Sequence, residues 1–192
     1  AIINNIGEQS FLIDAQWRVG KTSLLYKIRN ELFLRSNDIS FYNPVLLSLG
    51  GVPEKDFWFR LYEKFRENMI NDFRVDGGSE LFKRSPDNYS KFKLKNDLHE
   101  FIVLLGKNKK HQTIKFVVIL DEAQTINYYS GETKADIRDL FSQDIELSNY
   151  LSVIIAGYRI ENEDKHTSPW INFLKITELT GLKDDEFETL LK

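Results

Sequence analysis

The stretch QSFLIDAQWRVGKTSL, residues 9–24, decides the reading of this chain. Its apolar run Phe11-Leu12-Ile13 breaks at Asp14 into a short loop, the loop ends in Gly20-Lys21-Thr22, and an amphipathic helix follows at once. Strand, loop and helix N-terminus in that order make an anion site, because loop N–H groups and the positive end of the helix converge. A polyphosphate fits there, with Lys21 reaching the β- and γ-phosphates and the Thr22 hydroxyl on Mg²⁺. Ala15, Gln16, Trp17, Arg18, Val19, Gly20, Lys21, Thr22 and Ser23 form the expected nucleotide-binding set. The pattern G-x-x-x-x-G-K-[ST] is met in its second half only, since Ala15 takes the first glycine position. Alanine is the smallest departure from glycine, so a slightly altered loop is expected rather than a lost one.

A partner run lies a hundred residues on. Phe116-Val117-Val118-Ile119-Leu120 is uninterrupted apolar sequence, as in a central parallel strand buried on both faces. Asp121-Glu122 follow at its C-terminal end, which is where open α/β sheets bind ligands. Asp121 is expected to hold Mg²⁺, directly or through water, and Glu122 to orient and deprotonate an attacking water. Taken alone, each run has a plain alternative, a loop before a helix or a buried strand with a solvated acidic tip. Together they favour a nucleotide site.

The 192 residues suffice for one α/β domain with a real core. Apolar residues at 42% and charged residues at 29% are ordinary for a soluble globular protein. A net charge of −3 gives no general electrostatic reason to bind nucleic acid or an anionic membrane. Cysteine is absent, which removes disulfides, thiol catalysis and Cys-based metal sites and fits a reducing compartment, so a cytoplasmic location is expected. His99, His111 and His166 are scattered, and no metal is expected beyond Mg²⁺ on nucleotide. No apolar run is long enough to span a membrane and no signal-peptide pattern opens the chain. The first residue is not Met, and the chain reads as a fragment.

Periodicity orders the rest. Strands are expected at 9–14, 40–49, 116–120, 151–156 and 173–177. Pro44 marks the second as an edge or bulge. Helices are expected at 21–34 (stripe Leu24, Leu25, Ile28, Leu32), from Pro53 to about Phe73 (Phe57, Leu61, Phe65, Met69), at 91–105 closed by Gly106, and at 133–150. Residues 74–90, with Gly77-Gly78 and Ser85-Pro86, read as a long loop, and Lys107 to His111 as a basic turn. The alternation predicts an α/β, three-layer α/β/α core with a mainly parallel five-stranded sheet.

WRVGKTSLL, VVILDEAQ, VIIAGYR and the closing ITELTGLKDDEF together resemble the AAA+-like P-loop ATPases, above all the STAND type with its NACHT and NB-ARC switches and related prokaryotic ATPase domains. The resemblance covers residues from about 9 to 192 and is most specific in GKTSLL and LDEAQ. It implies an additional-strand sheet, with strands 116–120 and 151–156 between the P-loop strand and strand 40–49. It implies Lys21 and Thr22 as Walker A, Asp121 and Glu122 as Walker B, and 151–156 as a sensor strand. Its tip residue Arg159 matches the position where such switches place an arginine on the γ-phosphate, and a guanidinium can read that group bidentately. Residues 1–182 would then be the ATPase core and 183–192 the start of a truncated helical lid. Trp17 stands where a basic residue is common, and either packs over base or ribose or covers the strand. The family's adenine-holding N-terminal segment and its lid sensor are not in this sequence.

The function implied is a nucleotide-dependent switch or remodelling ATPase that binds ATP or ADP with Mg²⁺ and hydrolyses slowly in isolation. Glu122, Lys21 and Arg159 are its expected catalytic set. A homo-oligomer or protein partner, engaged through absent domains, would complete it. Two alternatives stand beside it, a DNA-associated ATPase of the loader or transposition-helper kind, and a nucleotide-binding interaction module with little turnover. A small-molecule kinase is less favoured, because Asp-Glu at a core strand suits water activation.

Overall fold

The computed structural model describes residues 2–6, 8–16, 19–36, 40–71, 80–108, 113–160 and 170–179. Five strands, β1 (Phe11–Ala15), β2 (Ser40–Ser48), β3 (Thr113–Asp121), β4 (Leu151–Gly157) and β5 (Lys175–Leu179), form one sheet in the order β2-β3-β4-β1-β5. Every pairing is parallel. β3 and β4 therefore lie between the P-loop strand and β2, as the resemblance implies.

Alternation along the strands divides the core in two. Phe116, Val118 and Leu120 of β3 and Val153 and Ile155 of β4 face a layer built from α3 (Phe57–Asn71), α4 (Lys91–Asn108) and α5 (Gly131–Arg138). Val117, Ile119, Ile154 and Ala156 face α2 (Lys21–Arg35), against which the short α1 (Ile2–Asn5) packs. This is a three-layer α/β/α sandwich. Phe57, Leu61, Phe65 and Met69 of α3 are fully buried. Each contributes about 1.5–3 kcal/mol of hydrophobic stabilisation. β2 is an edge strand, so Pro44 costs no ladder bond on its open side. The Pro44 carbonyl accepts from Asn68 of α3 at 2.7 Å, and Asn68 also donates to the buried Asn43 at 3.0 Å.

Four expectations need correction. The helix expected at 133–150 runs as α5 and continues in wider π-helical geometry over Asp139–Gln143, where it stops, and a turn spans residues 145–150. Asp144 leaves helical geometry with ψ 104°, and its carboxylate accepts from the N–H groups of Glu146 and Leu147. Gly106 does not end α4, which runs on to Asn108. The last strand starts at Lys175 because Leu174 closes a turn on Ile171, and the Lys175 N–H then bonds Ser10. Finally, residues 80–90 are a packed strap rather than an open loop. Leu81, Phe82 and Tyr89 are buried, and Arg84 grips the buried Asp97 of α4 with Nε and Nη2. Residues 72–79, with Gly77-Gly78, lie outside the described residues, as do Lys109, Lys110, His111, residues 161–169 and residues 180–192, where the lid helix was expected.

Candidate functional site

The site forms where β1, β3 and β4 end together. Ala15 is the last residue of β1, 2% exposed, with its methyl group in the α2-side core. It is a strand residue, so its Cβ is accommodated by packing. Gly20 turns the chain into α2 with φ 85° and ψ 17°, a left-handed conformation that favours glycine. Its carbonyl accepts from the Leu24 N–H at 2.9 Å, which starts the helix. The first N–H groups of α2 thus open onto the strand ends, where an anion is stabilised.

Asp121 gathers the two sequence motifs. Its side chain is almost fully buried, so its charge must be compensated. Lys21 Nζ bonds Oδ1, the Thr22 hydroxyl donates to Oδ2 at 2.7 Å, and the Glu122 N–H donates to Oδ1 at 2.7 Å. Lys21, Thr22 and Asp121 are thus in mutual contact across a hundred residues of sequence. Glu122 has φ 53°, costly for a residue with a side chain, and that turn lifts its carboxylate off the strand line. The Ser48 hydroxyl at the end of β2 donates to Glu122 Oε2 at 2.7 Å. Gly50 lies so close to Glu122 Oε2 that a Cβ there would overlap it.

A cavity of about 390 Å³ is lined by Ala15, Gln16, Gly20, Lys21, Thr22, Ser23, Glu122, Gln124 and Tyr158. Most of the expected nucleotide-binding residues are therefore brought together. Val19 is partly buried and packs toward the α2-side core, and Trp17 and Arg18 lie outside the described residues. Arg159 does not line the cavity. Its guanidinium sits 4.9 Å over the Tyr158 ring, and its carbonyl accepts from Asn127 at 2.9 Å. Gln124, Tyr158 and Ser48 were not singled out from sequence. Gln124 had a usable signal, lying two residues after Glu122. Ser48 had none, because only the β2–β3 register pairs it with Asp121.

The residues fit a Mg²⁺-bound polyphosphate. A buried carboxylate beside a threonine hydroxyl is a hard oxygen donor pair, and the Lys21 ammonium beside it supplies positive charge suited to a phosphate. Among the described residues no group of three or more His, Cys, Asp or Glu could hold a metal, and no helix is long and apolar enough to cross a membrane. Two lysines near the start of α4 are engaged with acids. Lys91 pairs with Asp136 and Asp139, and Lys95 with Asp144 and Glu146.

The segment after Glu122 is tied back to the end of β2. Tyr129 donates to the Val52 carbonyl at 2.8 Å. The Glu54 carboxylate accepts from the Ser130 N–H at 3.0 Å, the Ser130 hydroxyl and the Thr133 hydroxyl. These hydroxyl donors, Ser130 first, hold Glu54 below its ordinary pKa. Burial pushes the Tyr129 hydroxyl up to about 12.

No protein-family model and no curated protein matches the chain. Among solved structures it is similar to the Orc1 protein of Aeropyrum pernix, determined in complex with DNA, with a TM-score of 0.60 and 11% identity over 95% of this chain and 42% of that one. It is similar to a Walker-type ATPase of Pyrococcus abyssi with a TM-score of 0.60 and 17% identity over 96% of this chain and 51% of that one. The chain thus has the fold of P-loop ATPases. It spans about half the length of these neighbours.

Proposed function

We propose that this chain is the ATP-binding and hydrolysing core of a nucleotide-dependent switch or remodelling ATPase of AAA+/STAND type. The observation that carries the reading is the convergence of Lys21, Thr22 and Asp121 at the start of α2, with Glu122 beside them at the cavity. Asp121 holds Lys21. With nucleotide bound, Lys21 would exchange the carboxylate for phosphate, and Asp121 and Thr22 would hold Mg²⁺. The ion, when bound, neutralises charge on the phosphate oxygens. Glu122, positioned by the Ser48 hydroxyl, orients and deprotonates the attacking water. The Arg159 guanidinium reaches phosphate only by leaving Tyr158. That costs an exposed cation–π contact of about 0.5–1 kcal/mol, less than the about 1.5–3 kcal/mol of a hydrogen bond to a charged group. Arg159 therefore turns inward when a γ-phosphate is present. A neighbour's arginine, in a homo-oligomer or from a protein partner, would add about 10³–10⁵ in rate.

The deciding experiment measures ATP and ADP affinity with Mg²⁺ for the chain and for Lys21→Ala. Binding lost in the variant supports the site, and equal binding in both refutes it. The likeness to Orc1, solved with DNA, favours one second reading, a DNA-associated ATPase. The net charge and the paired lysines of α4 weigh against DNA contacts on this domain. Steeply salt-dependent DNA binding by the chain would support that reading.

A further inference from the structure

Gln124 stands between the two strand tips that flank the cavity. It follows β3 by three residues, lines the cavity, and turns its side chain toward the end of β4. Its Oε1 accepts from the Tyr158 N–H at 3.5 Å, the long limit of a hydrogen bond. The contact is close because residue 157 is glycine. A Cβ at Gly157 would lie 2.9 Å from Gln124 Oε1 and 3.0 Å from Gln124 N.

This latch fixes which end of the amide faces the cavity. A backbone N–H can only donate, so the group turned to Tyr158 must be the carbonyl oxygen. The NH₂ group is left on the other side. Among the described residues it makes no hydrogen bond. A donor-only group at the edge of a cavity that already holds Lys21 and Thr22 suits a phosphate oxygen and no cation. It is also set in advance, whereas Arg159 must first leave Tyr158, so little ordering cost remains at binding.

We infer that Gln124 is a specificity-determining residue of this nucleotide site, and that its NH₂ group reads the γ-phosphate and so distinguishes a nucleoside triphosphate from a diphosphate. The inference rests on the nucleotide-binding reading above. It gives the β4 tip a direct tie to nucleotide state, since whatever Gln124 contacts is felt at Tyr158 through Oε1.

Three variants of the full chain test it, with ATPγS and ADP affinities measured with Mg²⁺. Gln124→Ala removes both the latch and the donors. Gln124→Glu keeps an acceptor for the Tyr158 N–H but removes the donors and adds negative charge. Lys21→Ala reports on the site itself. The expected result is an ATPγS-to-ADP affinity ratio reduced about tenfold or more in both Gln124 variants, with ADP affinity within about twofold of the parent. A purely structural latch would instead weaken both nucleotides together in Gln124→Ala and leave Gln124→Glu near the parent, and that outcome overturns the inference. So does an unchanged ratio in Gln124→Glu while binding still depends on Lys21. Binding that is absent in the parent, or indifferent to Lys21, overturns the nucleotide reading and this inference with it.

Discussion

The Ser48 hydroxyl donates a 2.7 Å hydrogen bond to Oε2 of Glu122, across 74 residues of chain. It exists because β2 and β3 run parallel in a register that sets Ser48 against Asp121. The bond places the proposed base under the control of the neighbouring strand. Ser48→Ala is expected to lower ATP turnover about tenfold, equivalent to about 1.4 kcal/mol and comparable to the net worth of one hydrogen bond. Nucleotide affinity should stay the same. Glu122→Gln keeps the shape and loses the base, so turnover should fall at least about 10²-fold with binding retained. Turnover that survives in Glu122→Gln points to another base.

Gly50 gives the same carboxylate its space. Gly50→Ala is expected to displace Glu122 and reduce turnover, with little change in melting temperature, because Gly50 is solvent-exposed at the surface. A variant with parental kinetics would show that Glu122 acts from a different rotamer.

Lys21 is the cation of the site and the partner of a buried carboxylate. Lys21→Ala should abolish measurable ATP and ADP binding. Asp121 keeps the Thr22 hydroxyl and the Glu122 N–H, so the variant should remain folded, with a circular dichroism spectrum like the parent's.

Arg159, expected at the γ-phosphate from sequence, stacks on Tyr158 outside the cavity. Its inward turn predicts that Arg159→Ala lowers ATP affinity and leaves ADP affinity alone, narrowing the gap between them several-fold, as titration calorimetry would register. An unchanged gap would leave Arg159 stacked on Tyr158 in every state.

Glu54 supplies an acid dependence. Its pKa in the folded protein lies below the ordinary 4.5. The stabilisation is therefore present above the unfolded-state value and is lost as pH falls through the folded one. Melting temperature should drop as pH is lowered below about 4.5, and Glu54→Gln should flatten that part of the profile while lowering stability near neutrality. A variant with the parental pH profile would remove Glu54 from the account.

Much of this was legible because it is local or periodic. Phe11-Leu12-Ile13, Gly20-Lys21-Thr22 and the Phe116–Glu122 run carry their strand, turn and helix signals within a few residues. The α3 stripe of Phe57, Leu61, Phe65 and Met69 was equally plain. What failed was decided at a distance. The 133–150 helix stops early because Asp144 caps a new turn and pairs with Lys95 of α4. The 80–90 strap is held by Asp97, whose burial no local pattern announces.

By itself, the sequence determined a mainly parallel α/β sheet and where the Gly20-Lys21-Thr22 turn and the Asp121-Glu122 strand end fall in it. Hydrophobic period and turn chemistry are written residue by residue, and those motifs need only their own strands to form. Only the tertiary structure decided that Asp121 receives both Lys21 and Thr22, that Ser48 holds Glu122, and that Gln124 rather than Arg159 faces the cavity. Each of those contacts depends on strand register and on the path of the chain after a strand end. Register is set by packing across the whole sheet, and no short window of sequence contains it.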